Sequence, residues 1–397
     1  MRIETVRQFE FVLLAELVYN FPVCNAFQQQ SFWNHQMTTH RKIVFSVIFS
    51  FLLFLPQIVF AEDSLKIGGV FALTGVAAPF GKAELQGVEL AVEQVNRKGG
   101  VKGRSIELLV EDSQSSAVGT VKAVTHLLTV KRVSMIIGPT WLDSFQGATP
   151  IAKANKAILI TPSAVPAVFK KAGGEDSHVF STFFDMQREL EFLIDQMALQ
   201  KRMKVALLFD EDPFFQWVNT SLREYAKSKG FEIAEEIVVS VGTNDFMPSL
   251  TKVSEKGIDA ILVGLIDGGS VVGFLKHRQQ LIPNIPVFGI HDFDGYLADE
   301  TLKGLFKNIS FAVPVSPHVD FVKAYEARFK EKPKLSASNA YDALMILVET
   351  LEKGSEQYEL LKEQLSKGSF NTVTFGPATF DALGGMDGGA FELKVVP

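Results

Sequence analysis

LKIGGVFALTGVAAPFGKAELQGVELAVEQVNRKGGVKGRSIELLVEDS, residues 65–113, changes its hydrophobic period twice. Residues 65–72 are β-branched and apolar until Thr74-Gly75 ends the run, which is the composition of a strand. Leu85, Val88, Val92 and Val95 then recur at helical spacing, and residues 105–111 return to strand. Gly99, Gly100 and Gly103 stand where a helix must stop and the chain must reverse, which calls for residues tolerant of positive φ. Alternation of this kind predicts parallel strands with helices packed on the sheet.

The alternation continues outward. Residues 118–128 and 147–154 read as helices, and 133–137 and 157–161 as strands. A second series starts after Phe183, with strands at 204–209, 231–240, 260–265 and 286–289. Helices are expected between them, from Phe215 to near Gly230, at 246–256 and at 269–278. Residues 311–315, two helices at 319–329 and 339–351, and a segment at 375–396 follow, with Gly384, Gly385, Gly388 and Gly389 grouped in turns. Two α/β series predict two lobes, each a parallel sheet with helices on both faces. No low-complexity linker separates them, so several short crossings are expected rather than one tether. The expected division is 62–182 with 313–383 for the N-terminal lobe and 183–312 with 384–397 for the C-terminal lobe.

A chain of 397 residues, 47% hydrophobic and 21% charged, has enough apolar material for two cores. Its net charge is −6, with no basic surplus to attract phosphate, so nucleic acid is not an expected partner. Residues 37–61 read as a secretory signal: Arg41-Lys42, the apolar run 43–55, then Val59-Phe60-Ala61 before Glu62. Pro56 and Gln57 interrupt the run before it reaches the ~20 residues a membrane span requires. Residues 1–36 fit no leader and form an upstream extension, with Met37 an alternative start. Cys24, the only cysteine, lies in that piece, which leaves the exported chain without disulfides, thiolate chemistry or cysteine metal ligands. A periplasmic protein held by its core alone is the expectation.

Ile67-Gly68, Leu73-Thr74-Gly75, Phe80-Gly81, Gly87 to Ala91, the run 96–104, Glu111-Asp112-Ser113, Ile136-Ile137-Gly138-Pro139, 160–164 and 339–343 together carry a resemblance over nearly all of the mature chain. The chain resembles the type I periplasmic-binding proteins of the leucine/isoleucine/valine-binding group. The resemblance implies two Rossmann-like lobes joined by a multi-crossing hinge. It also implies the solute-binding role of an ABC uptake system, working with a permease in the inner membrane as a monomer. In that family two loops of the first lobe hold the ligand's carboxylate, and an acid on the second lobe takes its amino group. This sequence departs at all three places: the usual serine falls on Leu142, the usual threonine on Val165 and the acid on His291.

Gly138-Pro139 and Thr161-Pro162 each end a strand, so the next loops lie at the carboxyl edge of the sheet, where open α/β sheets bind ligands. The candidate ligand residues are Phe80, Trp141, Leu142, Ser163, Ala164, Val165, Phe214, Ile266 and His291. Backbone N–H groups at 142–144 and 164–165 suit a carboxylate, and Phe80, Trp141, Phe214 and Ile266 suit an apolar or aromatic body. An ammonium would need Asp292 or Asp267 in place of the missing acid. Each assignment has a plainer rival. Trp141 competes with inter-lobe packing, Phe80 and Phe214 with the core that takes most of 34 phenylalanines, and His291 with a structural donor. Asp112 reads as a cap or turn residue, Asp342 as facing the lobe interface, and Asp210-Glu211-Asp212 as a solvated loop.

The function expected is capture of a small organic ligand, an apolar or aromatic carboxylate or an amino-acid-like molecule or amide, by lobe closure. The alternative is a sensor that signals to a receptor rather than to a permease. No nucleophile elbow, phosphate loop, dinucleotide fingerprint or His-x-x-x-His is present, so neither enzymatic activity nor a cofactor or metal is expected.

Overall fold

The computed structural model describes residues 64–140, 145–164, 178–211, 213–297, 299–315, 317–334 and 336–396. The expected leader, the piece before it, Cys24 and Asp212 lie outside the described residues. β1 (Leu65–Phe71) and β2 (Ile106–Asp112) pair in parallel on either side of α1 (Ala78–Arg97). Gly99, Gly100 and Gly103 all have positive φ, as the turn between α1 and β2 demands. α1 starts seven residues before its first periodic leucine, because Pro79 supplies a preset φ in the first turn and needs no hydrogen bond there.

α2 (Ala117–Thr129), β3 (Met135–Ile137), α3 (Phe145–Ala154), β4 (Ile158–Thr161) and β5 (Val179–Ser181) complete a parallel sheet in the order β2-β1-β3-β4-β5. Strand alternation sorts its side chains onto two faces. Ile67, Phe71, Ile137 and Ile160 pack with Val88, Ala91 and Val95 of α1, whereas Val70, Ile136 and Leu159 pack with Val124 and Leu127 of α2. Each face is therefore covered by helix, as the doubly wound pattern requires.

The second sheet repeats the plan. α4 (Met186–Leu199), β6 (Lys204–Asp210), α5 (Pro213–Ser228), β7 (Glu232–Val239), α6 (Met247–Glu255), β8 (Ala260–Gly264), α7 (Gly268–Leu281), β9 (Val287–Gly289) and β10 (Ile309–Pro314) give the strand order β7-β6-β8-β9-β10. Val205, Leu207 and Phe209 of β6 face α4 and α5, and Ala206 and Leu208 face the opposite core with Phe246 and Phe274.

The chain then returns to the first sheet. α8 (Val319–Phe329) and α9 (Ala337–Lys353) join its core, followed by α10 (Tyr358–Lys367) and a small antiparallel sheet of β11 (Ser369–Thr372), β12 (Gly376–Phe380) and β13 (Met386–Asp387). β14 (Phe391–Val396) goes back to pair antiparallel with β10 at the edge of the second sheet. The backbone thus passes between the two sheets three times. Phe375 packs against the cores of both. Two contacts link the first crossing to the third: Ser181 N–H donates to Gly384 O at 2.7 Å, and Phe184 meets Phe391 edge-on at 5.6 Å.

Candidate functional site

In the first sheet β1 leads on to β2 on one side, while its other neighbour β3 leads away to β4, so the loops after β1 and β3 diverge and open a crevice at the carboxyl edge. Gly138 makes the turn after β3 with φ +110°, and a Cβ there would come within 2.1 Å of Val70 O, so only glycine fits. Asp112, at the end of β2, accepts from Leu73 N, Thr74 N, Thr74 Oγ1 and Gln114 N, which pins the loop after β1; of its two expected roles it takes the turn, and Ser116 caps α2.

A fully buried acid ties these loops together. Glu84 of α1 is 0% exposed and its Oε2 accepts from Thr140 Oγ1 at 2.5 Å, while Thr140 Oγ1 accepts from Ala72 N at 3.1 Å. Burial pushes the Glu84 carboxyl up to about 7, and the hydroxyls of Thr140, Ser163 and Ser336 pull it the other way. The loop after β4 is fastened by Thr161 Oγ1 donating to Pro139 O and by Ser181 Oγ donating to Ala164 O at 2.6 Å. Three loops and the first crossing therefore form one hydroxyl-rich network. Glu84 was not singled out in the sequence, yet it lies at helical spacing with Val88, Ala91 and Val95 on the apolar stripe of α1, and that was the available signal.

The second sheet has its switch point between β6 and β8. Asp210, read from sequence as a solvated loop residue, is 1% exposed and accepts from the N–H groups of Ile266 at 2.8 Å and Asp267 at 3.4 Å. It holds the loop after β8 because it ends a strand buried from Val205 onward and its carboxylate needs donors there. Asp267 in turn caps α7 by accepting from Ser270 N at 3.0 Å. We expect Asp210→Ala to cost ~1–3 kcal/mol in urea unfolding through the two unpaired N–H groups.

After β9, His291 opens a 3-10 turn, His291–Tyr296. Its ring is buried at 6% exposure, with Nδ1 3.0 Å from Glu189 Oε2 and Nε2 3.4 Å from Asp292 Oδ2, and its backbone N–H donates to Glu189 Oε1 at 2.6 Å. Phe184 stands edge-on to the ring at 4.6 Å. Burial alone pushes the imidazolium pKa down, but the carboxylates of Glu189 and Asp292, the Glu189 hydrogen bond and Asp294 outweigh it and bring it to about 9. His291 is therefore a charged member of an ion pair at neutral pH. Asp292 is pushed up from its ordinary value by burial, with His291 opposing. Tyr296 and Asp267 share its surroundings.

Of the expected ligand residues, Phe80 is half-buried in the first turn of α1, Ser163 is half-buried and Ala164 fully buried after β4, and Ile266 is 38% exposed after β8. Phe80, Ser163 and Ala164 gather at the first sheet's edge, and Ile266 and His291 at the second's. Trp141, Leu142 and Val165 lie outside the described residues; Phe214 is in α5. Asp342, expected at the lobe interface, is 2% exposed and holds the β11–β12 turn by accepting from Val373 N and Thr374 N. A depression of about 500 Å³ lined by Val315, His318, Phe375 and Ala390, among others, lies on the crossings and includes none of these residues. Among the described residues no group of His, Cys, Asp and Glu is arranged to hold a metal ion.

A family model described as "Periplasmic binding protein" matches residues 64–391, which takes in every strand of both sheets up to the start of β14 and all three crossings. The chain belongs to that family. The Leu/Ile/Val-binding protein of Escherichia coli K12 is 25% identical over 354 residues, 84% of this chain and 90% of that one. The leucine-, isoleucine-, valine-, threonine- and alanine-binding protein of Pseudomonas aeruginosa is 23% identical over 336 residues, 82% and 88% of the two chains.

Among solved structures, the branched-chain amino acid transporter substrate-binding protein of Streptococcus pneumoniae in complex with isoleucine superposes with a TM-score of 0.72 at 26% identity, covering 84% of this chain and 96% of that one. An ABC transporter solute-binding protein from R. palustris in complex with benzoate gives 0.69 at 20% identity, covering 84% and 94%. The fold is that of a type I periplasmic binding protein.

Proposed function

We propose that this periplasmic binding protein is the exported solute-binding component of an ABC uptake system. Its ligand is a small carboxylate with an apolar or aromatic body, or an amino-acid-like molecule or amide. The lobes, 62–182 with 313–383 and 183–312 with 384–397, close around it about the three crossings. The ligand docks on the first lobe at Ser163 and Ala164 with Phe80, Trp141, Leu142 and Val165. Closure brings Phe214, Ile266 and the His291 loop over it, and the closed form engages the permease.

His291 carries the ligand class in this reading. At the position that aligns with the family's ammonium-binding acid stands an imidazolium already paired with Glu189, so a free amino acid finds no unpaired carboxylate at that position. Relatives named for branched-chain amino acids and a benzoate complex both lie within reach of the same fold.

A thermal-shift panel of amino acids, aromatic acids, short-chain acids and amides tests it. An organic acid at a hundredfold excess over its Kd is expected to add about 2.7 kcal/mol and raise Tm by several degrees. Leucine or valine giving the largest shift would overturn the ligand class. Small-angle scattering should show compaction with the best ligand, and tight binding without compaction would overturn closure.

A further inference from the structure

Hydrogen bonds and packing assign each residue of the first and third crossings to one sheet or the other. In the first crossing Thr182 N–H donates to Thr161 O at 3.0 Å, Thr182 Oγ1 to Asn339 O of α9 at 2.7 Å, and Asn339 Nδ2 to Thr182 O at 2.5 Å. The Phe183 N–H still donates to Ser181 Oγ at 3.0 Å, on the first sheet's side. Its ring belongs to the other side: Phe183 and Phe184 stack at 4.1 Å within the second sheet's core, and Phe184 stands edge-on to His291. Asp185 then caps α4 by accepting from Gln187 N. The hold therefore passes from one sheet to the other within Phe183.

In the third crossing Ser181 N–H donates to Gly384 O, the Asp381 carboxylate accepts from Leu383 N and Gly385 N, and β13 pairs with β12. Gly384, Gly385 and Met386 are buried, Met386 in the first sheet's core. From Ala390 onward the second sheet takes hold: Ala390 O accepts from Val315 N at 3.0 Å, and Phe391 pairs with Pro314 and meets Phe184. Between the two lie Gly388 and the exposed Gly389, whose φ is +86° and where a Cβ would come within 2.5 Å of the Phe375 ring. Only glycine fits there, and glycine also has the least restricted backbone torsions. The ion pair that spans this point, Arg188 of α4 with Asp387 at 2.7 Å, has both side chains more than half exposed and resists little. Phe375 and Leu383 reach the second sheet's core by side-chain packing.

We propose that the second lobe turns on the first about the backbone of Phe183 and the Gly388–Gly389 pair, so that the Gly384 turn and β13 travel with the first lobe while Phe184, Phe391 and the His291 turn travel with the second. This rests on the closure reading above, and it moves the last lobe boundary from 383 to 388. Hinges are a few residues at the ends of elements that absorb large φ/ψ changes while the packed elements on either side move as bodies. Phe183 lies between β5 and α4, and the glycine pair between β13 and β14. Glu189 and Phe184 both grip His291, so the turn at the second sheet's carboxyl edge is tied to the piece of chain that leaves the first pivot. Rotation at Phe183 carries that turn with α4 as one body, not as a separate flap.

Residual dipolar couplings of the backbone amides test it, measured on the deuterated full chain, free and with benzoate or L-leucine at millimolar concentration. The expected result is two alignments, one for each lobe, whose relative orientation shifts between the free chain and at least one of the two additions. Residues 178–183 and 384–387 fall in the first set, and 184–199, 291–296 and 390–396 in the second. Residues 384–387 aligning with the second lobe, or Phe184 with the first, overturns the pivots and leaves closure standing. A His291 turn that fits neither set moves as a flap of its own and likewise overturns the proposal without touching closure. A single alignment for the whole chain, unchanged by either addition, overturns closure and the pivots with it.

Discussion

Glu84→Gln stabilises the ligand-free protein at pH 8 by about 3 kcal/mol and changes it little at pH 4.5. The sign follows from the carboxyl's rise from an ordinary 4.5 to about 7 in the fold. Below 4.5 both folded and unfolded chains carry the proton and burial costs nothing extra. Between 4.5 and about 7 the unfolded chain releases it first, so stability falls as pH rises. Above 7 the folded protein holds a buried carboxylate, and the loss has reached its full size of about 3 kcal/mol. The amide keeps the shape and the acceptor for Thr140 Oγ1 and never ionises. Urea unfolding of both proteins from pH 4.5 to pH 8 measures the difference, and a gap that does not change with pH would show that Glu84 is not neutral in the folded state.

Glu189→Gln works in the opposite sense and in a higher window. The imidazolium of His291 is raised from 6.5 to about 9, so its pairing stabilises the fold fully below pH 6.5, and the gain is lost as pH rises through about 9. The substitution should cost about 3 kcal/mol at pH 6, in line with breaking a buried pair, and about 1 kcal/mol or less at pH 9.5, where only a hydrogen bond differs. Unfolding at the two pH values checks the sizes, and the imidazole Cε1–H shift in NMR should report a lowered pKa in the variant. An equal loss at both pH values would show that Glu189 acts by packing and hydrogen bonding alone.

Both acids stand on the apolar stripes of their helices. Glu84 shares a face with Val88, Ala91 and Val95, and Glu189 with Met186, Leu190, Leu193 and Met197. Periodicity says which face is buried, so in principle it flagged them. The usual reading of a helical glutamate as solvated passed over both, and likewise passed over α4 as a helix. β5 was not legible at all, because three residues, Val179–Ser181, are too few to show a period. Asp210 was misread for a related cause: it ends an apolar strand, where an acid looks like the start of a loop, and only the folded chain brings the N–H groups of Ile266 and Asp267 to it. His291 was found by alignment with the family, but its charge was not, since Glu189 is 102 positions away.

The amino-acid order alone settled the α/β class and the two series, because strand and helix periods are local and each spans fewer than about 20 residues. It also settled the family, through short motifs in a fixed sequence. Which carboxyls are neutral and which imidazole is charged was decided only by the tertiary structure. Those states depend on exclusion of water and on partners a few ångströms away, and Thr140, Ser163 and Ser336 reach Glu84 from three separate parts of the chain.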